Sequence, residues 1–395
     1  MASRYVDLGR AAHGLSCTGV PLVAFDGLRY RRAGGEDDPG LYYFVPKLMR
    51  ISHLSTAAAV DLTLIGIVLF GSGIGLLGFM RTARTALGRR VGIIAFLLLT
   101  IVELMAGDIY VINAAPAIAC VPWVLYFATR KRLAPSAVIF FALLGLASLM
   151  ANFFRAYAGV GLILFTLAAV IGVYEMKTAG KIVLLAAFLA ASAGAQIFFG
   201  HLYRQRSAFL GQYDTAFESS QVHPFWHSVY IGLGYVKNSD VPAYADRIAA
   251  TRVKLLRPNA AYLSREYEQV LKRETLELAK RRPALILENV LVKLAVILGF
   301  CICAANVGLY AARLARKPVW LELAFWAAMA FNSLFGILVV PSAKYLLGLI
   351  AFAALYGAYS IEYASEQPQL RTRLAWIGRV VCGASSLPEQ AQREA

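Results

Sequence analysis

Apolar runs long enough to cross a bilayer recur along most of the chain, separated by short polar gaps. Thr56–Met80 holds one ionisable residue, Asp61, near its start, and Val91–Gly107 holds one, Glu103, near its end. An α-helix rises about 1.5 Å per residue, so roughly 20 such residues span the ~30 Å hydrocarbon layer. In lipid, backbone polar groups must find partners within their own segment, which makes these runs helices. The pattern predicts spans at 56–80, 91–107, 112–129, 133–153, 159–175, 182–200, 285–311, 319–340 and 342–360.

Two longer polar stretches interrupt the pattern. In the first, Arg29–Gly40 is polar and leads into Leu41–Ser52. That piece combines Tyr42, Tyr43, Phe44, Val45, Leu48 and Met49 with Lys47 and Arg50, which suits a helix lying at the membrane interface. The second is 201–284, whose middle reads as loop because it carries Pro224, Gly232, Gly234, Asn238 and Pro242. Its end, Ala260–Arg282, places Leu263, Tyr267, Val270, Leu271, Glu274 and Leu278 at spacings of three and four, an amphipathic helix running into Pro283. The expected organisation is an N-terminal segment (1–55), a first helical membrane part (56–200), an outer loop (201–284), a second membrane part (285–360) and a polar cytoplasmic tail (361–395). The fold class is an all-α polytopic membrane protein with nine or ten transmembrane helices and interfacial helices on its outer face.

Charge orients this arrangement. One set of gaps holds Arg81, Arg84, Arg89 and Arg90, then Arg130–Arg132, then Lys177 and Lys181, then Arg313, Arg316 and Lys317, with Arg371, Arg373 and Arg379 after the last span. The alternate gaps hold Asp108, Arg155 and Lys344. The positive-inside rule makes the first set cytoplasmic, with 1–55 and 201–284 outside. Nine spans ending inside need an external start, so Ala11–Phe25, apolar but short, is expected to be a poor or re-entrant span unless the chain has lost residues before it. No cleavable signal peptide is recognisable. Composition agrees: the chain is 59% hydrophobic and 16% charged, with a mean hydropathy of +0.61, against about 25% charge in soluble domains. A net charge of +16 would suit nucleic acid, but the cations occupy topological positions, so no nucleic-acid partner is expected. Five cysteines form no recognisable disulfide framework, and Cys301-Ile302-Cys303 lacks the company of a zinc site.

Few polar residues remain for chemistry. Glu36-Asp37-Asp38 precedes Pro39-Gly40 in what reads as a turn. Adjacent carboxylates suit general-base catalysis, one pKa being raised by its neighbours, or oxygen ligation of magnesium or manganese together with Asp108. A solvated acidic turn is the plain alternative. Asp108 lies at a helix end, a place for a functional carboxylate or for an N-cap. His223-Pro224-Phe225-Trp226-His227-Ser228-Val229-Tyr230 interleaves two histidines with aromatic residues. The two histidines suit a phosphate, and the rings of Trp226 and Tyr230 suit a sugar face or a headgroup-level anchor. Arg155 and Lys344-Tyr345 are basic positions on the side that otherwise avoids them, which fits either a phosphate grip or snorkelling.

Taken together these stretches resemble the GT-C superfamily, multi-span glycosyltransferases that use polyprenyl-phosphate-linked sugars. Glu36–Leu48 looks like the acidic motif and interface helix of bacterial members, and His223–Gly234 looks like the H-P-x-W-H-x-x-Y-x-G-L-G loop of a group of bacterial relatives. Pro341-Ser342-Ala343-Lys344-Tyr345 is similar to a Pro…Arg-Tyr turn, with Lys for Arg. The resemblance implies Asp38 or Asp37 as base and Asp108 as second carboxylate. It also implies Arg155 and Lys344 on the donor phosphate, with His223 and His227 over the reaction centre. Implied with them are an inverting transfer from a polyprenyl-phosphate sugar to a glycan, lipid or protein hydroxyl, and a bacterial inner membrane with its site facing the periplasm. Glu36, Trp226, Tyr230 and Tyr345 complete the expected substrate contacts, and membrane lipid is a further expected partner. The alternatives are an O-antigen ligase or polymerase, a secondary transporter, which would place its ionisable residues at the midplane, and a scaffold without catalysis.

Overall fold

The computed structural model describes residues 2–34, 37–213 and 224–370. Most of them are helical, as a chain that must satisfy its backbone in lipid requires. Helix α1 (Ala2–Thr18) leads into a small antiparallel hairpin, β1 (Val23–Phe25) with β2 (Tyr30–Arg32), and then into α2 (Pro39–Ser52). The bundle follows: α3 (Thr56–Thr82), α4 (Ala86–Ala106), a 3-10 turn (Ile109–Asn113) continued by α5 (Ala115–Ala128), α6 (Pro135–Phe154), α7 (Val160–Gly172) and α8 (Thr178–Leu210). Three short helices, α9 (Phe225–Gly232), α10 (Asp246–Leu256) and α11 (Arg265–Arg281), lie between α8 and the second group. That group is α12 (Pro283–Ala305), α13 (Val307–Leu314), α14 (Val319–Leu338) and a 3-10 turn (Ala343–Leu346) continued by α15 (Leu347–Glu366).

Seven of these segments are long and apolar enough to cross a membrane: α3, Ile109–Ala128, α6, α8, α12, α14 and Ala343–Glu366. Helix α4, which carries Arg89, Arg90 and Glu103, and the shorter α7 run between the same two ends of the bundle. The protein is thus a multi-pass helical membrane protein. Helix α15 is its axis, buried on nearly every side. At one end Glu362 of α15 accepts hydrogen bonds from the backbone N–H groups of Arg84 and Thr85 and from the Thr85 hydroxyl, closing the α3–α4 connection. Lys317 there pairs with Glu322 and donates to Ser360. This end carries the basic connectors. The other end carries α1, the hairpin, α2 and α9–α11, and is called the cap end below.

Between apolar helices in lipid, association rests on close backbone packing, which small residues permit. Helix α3 meets α5 through Gly71, Gly75 and Gly78, and a Cβ on Gly75 would stand 2.0 Å from the Ile118 carbonyl oxygen. Helix α6 meets α8 at Gly145, where a Cβ would stand 2.2 Å from the Phe188 carbonyl oxygen.

Several boundaries differ from the sequence pattern, each for a local reason. Ala11–Phe25 is no span: α1 ends at Thr18, whose hydroxyl bonds the Gly14 carbonyl, and the remainder forms β1. The run at 285–311 is broken at Asn306, which has φ +48°, so α12 and α13 are separate helices. The middle of 201–284 is not loop throughout, because α8 extends to Leu210 and α9 and α10 fold against α11. Tyr230, Ile231, Val241, Val253, Tyr267 and Leu271 form a small core there. Tail residues 371–395, with Arg371, Arg373 and Arg379, lie outside the described residues.

Gly75→Leu should lower the melting temperature of the detergent-solubilised protein, since forcing a side chain into a packed contact costs about 1–3 kcal/mol. Gly73→Leu, where a Cβ meets nothing within 4 Å, should leave it unchanged.

Candidate functional site

The acidic stretch becomes the start of a helix rather than a free turn. Pro39 takes the first position of α2, where its missing N–H costs nothing, and Asp38 precedes it as the N-cap residue. Gly40 then lies directly on α6: a Cβ there would stand 2.8 Å from the Phe154 Cα. The N–H of Ala156 donates to the Asp37 carbonyl at 2.8 Å. These two contacts set the acidic residues beside the end of α6, where Arg155 follows.

Arg155 is mostly buried. Its Nη1 lies 3.5 Å from Asp37 Oδ2, its Nη2 donates to the Tyr110 hydroxyl at 3.3 Å, and its guanidinium sits 4.8 Å from the centre of the Tyr110 ring. Asp108 caps the 3-10 turn by accepting from the Ile109 N–H at 2.7 Å. Between Asp38 and Asp108 stands Arg4 of α1, with Nη2 2.9 Å from Asp38 Oδ2 and Nη1 3.6 Å from Asp108 Oδ1. Burial raises the Asp38 carboxyl above the ordinary aspartate pKa, and the guanidinium groups of Arg4 and Arg155 oppose that shift.

A cavity of about 460 Å³ opens beside these groups. Arg4, Asp37, Arg155, Tyr110 and Tyr345 line it from α1 and the helix ends of the bundle, and His227, Tyr244 and Asp246 line it from the cap. Tyr345 packs edge-on against Tyr110, their ring centres 4.6 Å apart. A third wall is apolar and comes from α14, where Leu334, Phe335 and Leu338 line the cavity and are 46%, 37% and 39% exposed. The cavity is therefore polar at its head and apolar along α14.

His227 is held from several directions. Tyr267 Oη lies 2.8 Å from its Nδ1, and Asp246 Oδ1 lies 3.3 Å from its Nε2. Burial raises the Tyr267 pKa, so this hydroxyl stays protonated and can donate to Nδ1 while Nε2 donates to Asp246. Its helix, α9, is short and tied at both ends by other helices. Glu268 of α11, itself buried, accepts from the N–H groups of Trp226 at 2.6 Å and His227 at 3.1 Å. At the other end Lys293 of α12 donates to the Gly232 carbonyl at 2.8 Å and Asn289 donates to the Leu233 carbonyl at 2.9 Å. An anion at the N-terminus and a cation at the C-terminus both complement the helix dipole.

Of the residues expected from sequence, Asp37, Arg155, His227 and Tyr345 meet in the cavity. Asp38 and Asp108 sit behind Arg4, off its wall. Trp226 and Tyr230 face the small core of the cap, Trp226 under Lys272. Lys344 is exposed, with its ammonium 4.9 Å from the Tyr345 ring centre. Glu36 and His223 lie outside the described residues. Among the described residues, no three His, Cys, Asp or Glu side chains gather as a metal-ligand group. Arg4, Tyr110, Asp246, Tyr267 and Glu268 were not singled out by sequence. Arg4 had a readable signal, since it stands four residues before Leu8 on the face that Ala11 and Leu15 continue, all three buried.

Lys293→Met should leave the Gly232 carbonyl unpaired and cost about 1–3 kcal/mol, read as a fall in melting temperature, and Glu268→Ala should do the same at the opposite end of α9. No family model, curated protein or solved structure matches this chain.

Proposed function

We propose that the protein is an integral-membrane glycosyltransferase that moves a sugar from a polyprenyl-phosphate donor to a hydroxyl acceptor, with inversion at the anomeric carbon. The observation that carries this reading is the cavity itself: a carboxylate and two guanidinium groups at its head, and an apolar flank along α14. A lipid-linked phosphosugar has the matching polarity, with an anionic head and a hydrocarbon tail. A transporter path would need its ionisable groups near mid-membrane, whereas these lie at a helix end.

In this reading Asp37, rather than Asp38, is the general base, because its carboxylate faces the cavity. It takes the proton of the acceptor hydroxyl as the oxygen bonds to the anomeric carbon and the bond from that carbon to the phosphate oxygen breaks. The lipid phosphate leaves with the electron pair, and Arg155 with Arg4 offsets its charge. His227, whose two ring nitrogens are engaged by Tyr267 and Asp246, shapes the opposite side of the cavity and holds the Asp246 carboxylate there as an acceptor for substrate hydroxyls. In this reading the cavity lies on the extracytoplasmic side of a bacterial cytoplasmic membrane, a placing that the basic connectors at the opposite end support through the positive-inside rule. The likeness of Glu36–Leu48 and His223–Gly234 to GT-C motifs supports the same reading.

Surface glycans and lipids of a strain lacking the gene should show the loss of one sugar mass, restored by the wild-type protein. Asp37→Asn should insert and fold yet reduce transfer by about 10²–10⁴-fold, the usual worth of a general base. Full restoration by Asp37→Asn would refute the assignment.

A further inference from the structure

The arrangement behind the cavity assigns a role to Arg4 that its place near the chain start does not suggest. Asp38 reaches the site as the residue before α2 and Asp108 as the cap of the 3-10 turn, so two separate elements bring carboxylates to one point. Their side chains are only 5% and 15% exposed. Two carboxylates held this close and this dry repel each other unless a cation lies between them. Oxygen ligands from separate elements converging in this way are what a divalent ion takes. Here the chain supplies the cation instead: Arg4 spans both, at 2.9 Å and 3.6 Å. A guanidinium does not deprotonate in a protein, so its charge is permanent.

We infer that Arg4 is the resident cation of this site, occupying the position between Asp38 and Asp108 that a divalent ion would otherwise take, and binding α1 to the bundle by that charge. Because Arg4 also lines the cavity, its remaining N–H groups face the anionic head of the substrate. That last consequence rests on the transferase reading, and there the phosphate is met by Arg4 and Arg155 without a bridging metal. The charge-balancing role itself does not depend on any reaction.

The test is the thermal stability of the purified full-length protein in detergent, with EDTA, with millimolar magnesium or calcium chloride, and with sodium chloride at matched ionic strength. The wild-type melting temperature should be indifferent to all three. Arg4→Ala should melt several degrees lower and regain much of that loss with magnesium or calcium but not with sodium, while Arg4→Lys should retain most of the wild-type value. If Arg4→Ala does not fold, Arg4→Ala/Asp108→Asn, which removes one of the two facing charges, should recover folding. A wild-type protein stabilised by divalent cations and reversed by EDTA would overturn the inference. So would an Arg4→Ala protein as stable as wild type or unresponsive to metal, or a double variant that still fails to fold. Loss of the transferase assignment would show in glycan analysis and leave these measurements unaffected.

Discussion

The site depends on a backbone contact: the first turn of α2 lying on the last turn of α6. Gly40 permits the approach and the Ala156 N–H fastens it to the Asp37 carbonyl. Asp37 and Arg155 are far apart in sequence, and their juxtaposition follows from this packing rather than from mutual attraction across solvent. A partly exposed ion pair is worth little by itself, so charge alone would not hold two elements together here. The apolar and backbone contact sets the geometry, and the ion pair then decides what the geometry can bind.

Electrostatics does more for the second pair of carboxylates. Asp38 and Asp108 are drawn out of water at the starts of α2 and of the 3-10 turn, and the cost of that burial is met by a cation from a third element. The same logic recurs at α9, where Glu268 and Lys293 attach a short helix to its neighbours through its own dipole. A helix of this length has little stability of its own. Its position, and with it that of His227, therefore comes from α11 and α12.

The two halves of the cavity have different origins. The carboxylate and guanidinium half is built on the ends of membrane helices, which their packing makes rigid. The histidine half is carried by the cap, which has a small core of its own and meets the bundle through Gly232 against Leu338 and Val339 and through the bonds from Asn289 and Lys293. A substrate bound between them would contact both.

Hydropathy and charge alone specified that the chain is a helical membrane protein and where its long apolar helices lie, seven of them long enough to cross, because lipid leaves the backbone few alternatives. The amphipathic helix before Pro283 and the interfacial helix after Asp38 were legible for the same reason: periodic burial leaves a periodic pattern. What the pattern could not carry was anything set by contacts between distant segments. The break at Asn306, the fold of α9 and α10, the exposure of Asp37 to the cavity with Asp38 set behind Arg4, and the placing of Arg4 between two aspartates all arise from which surfaces meet. A side chain's chemistry can be read from its letter, but its partner is decided only when the helices pack.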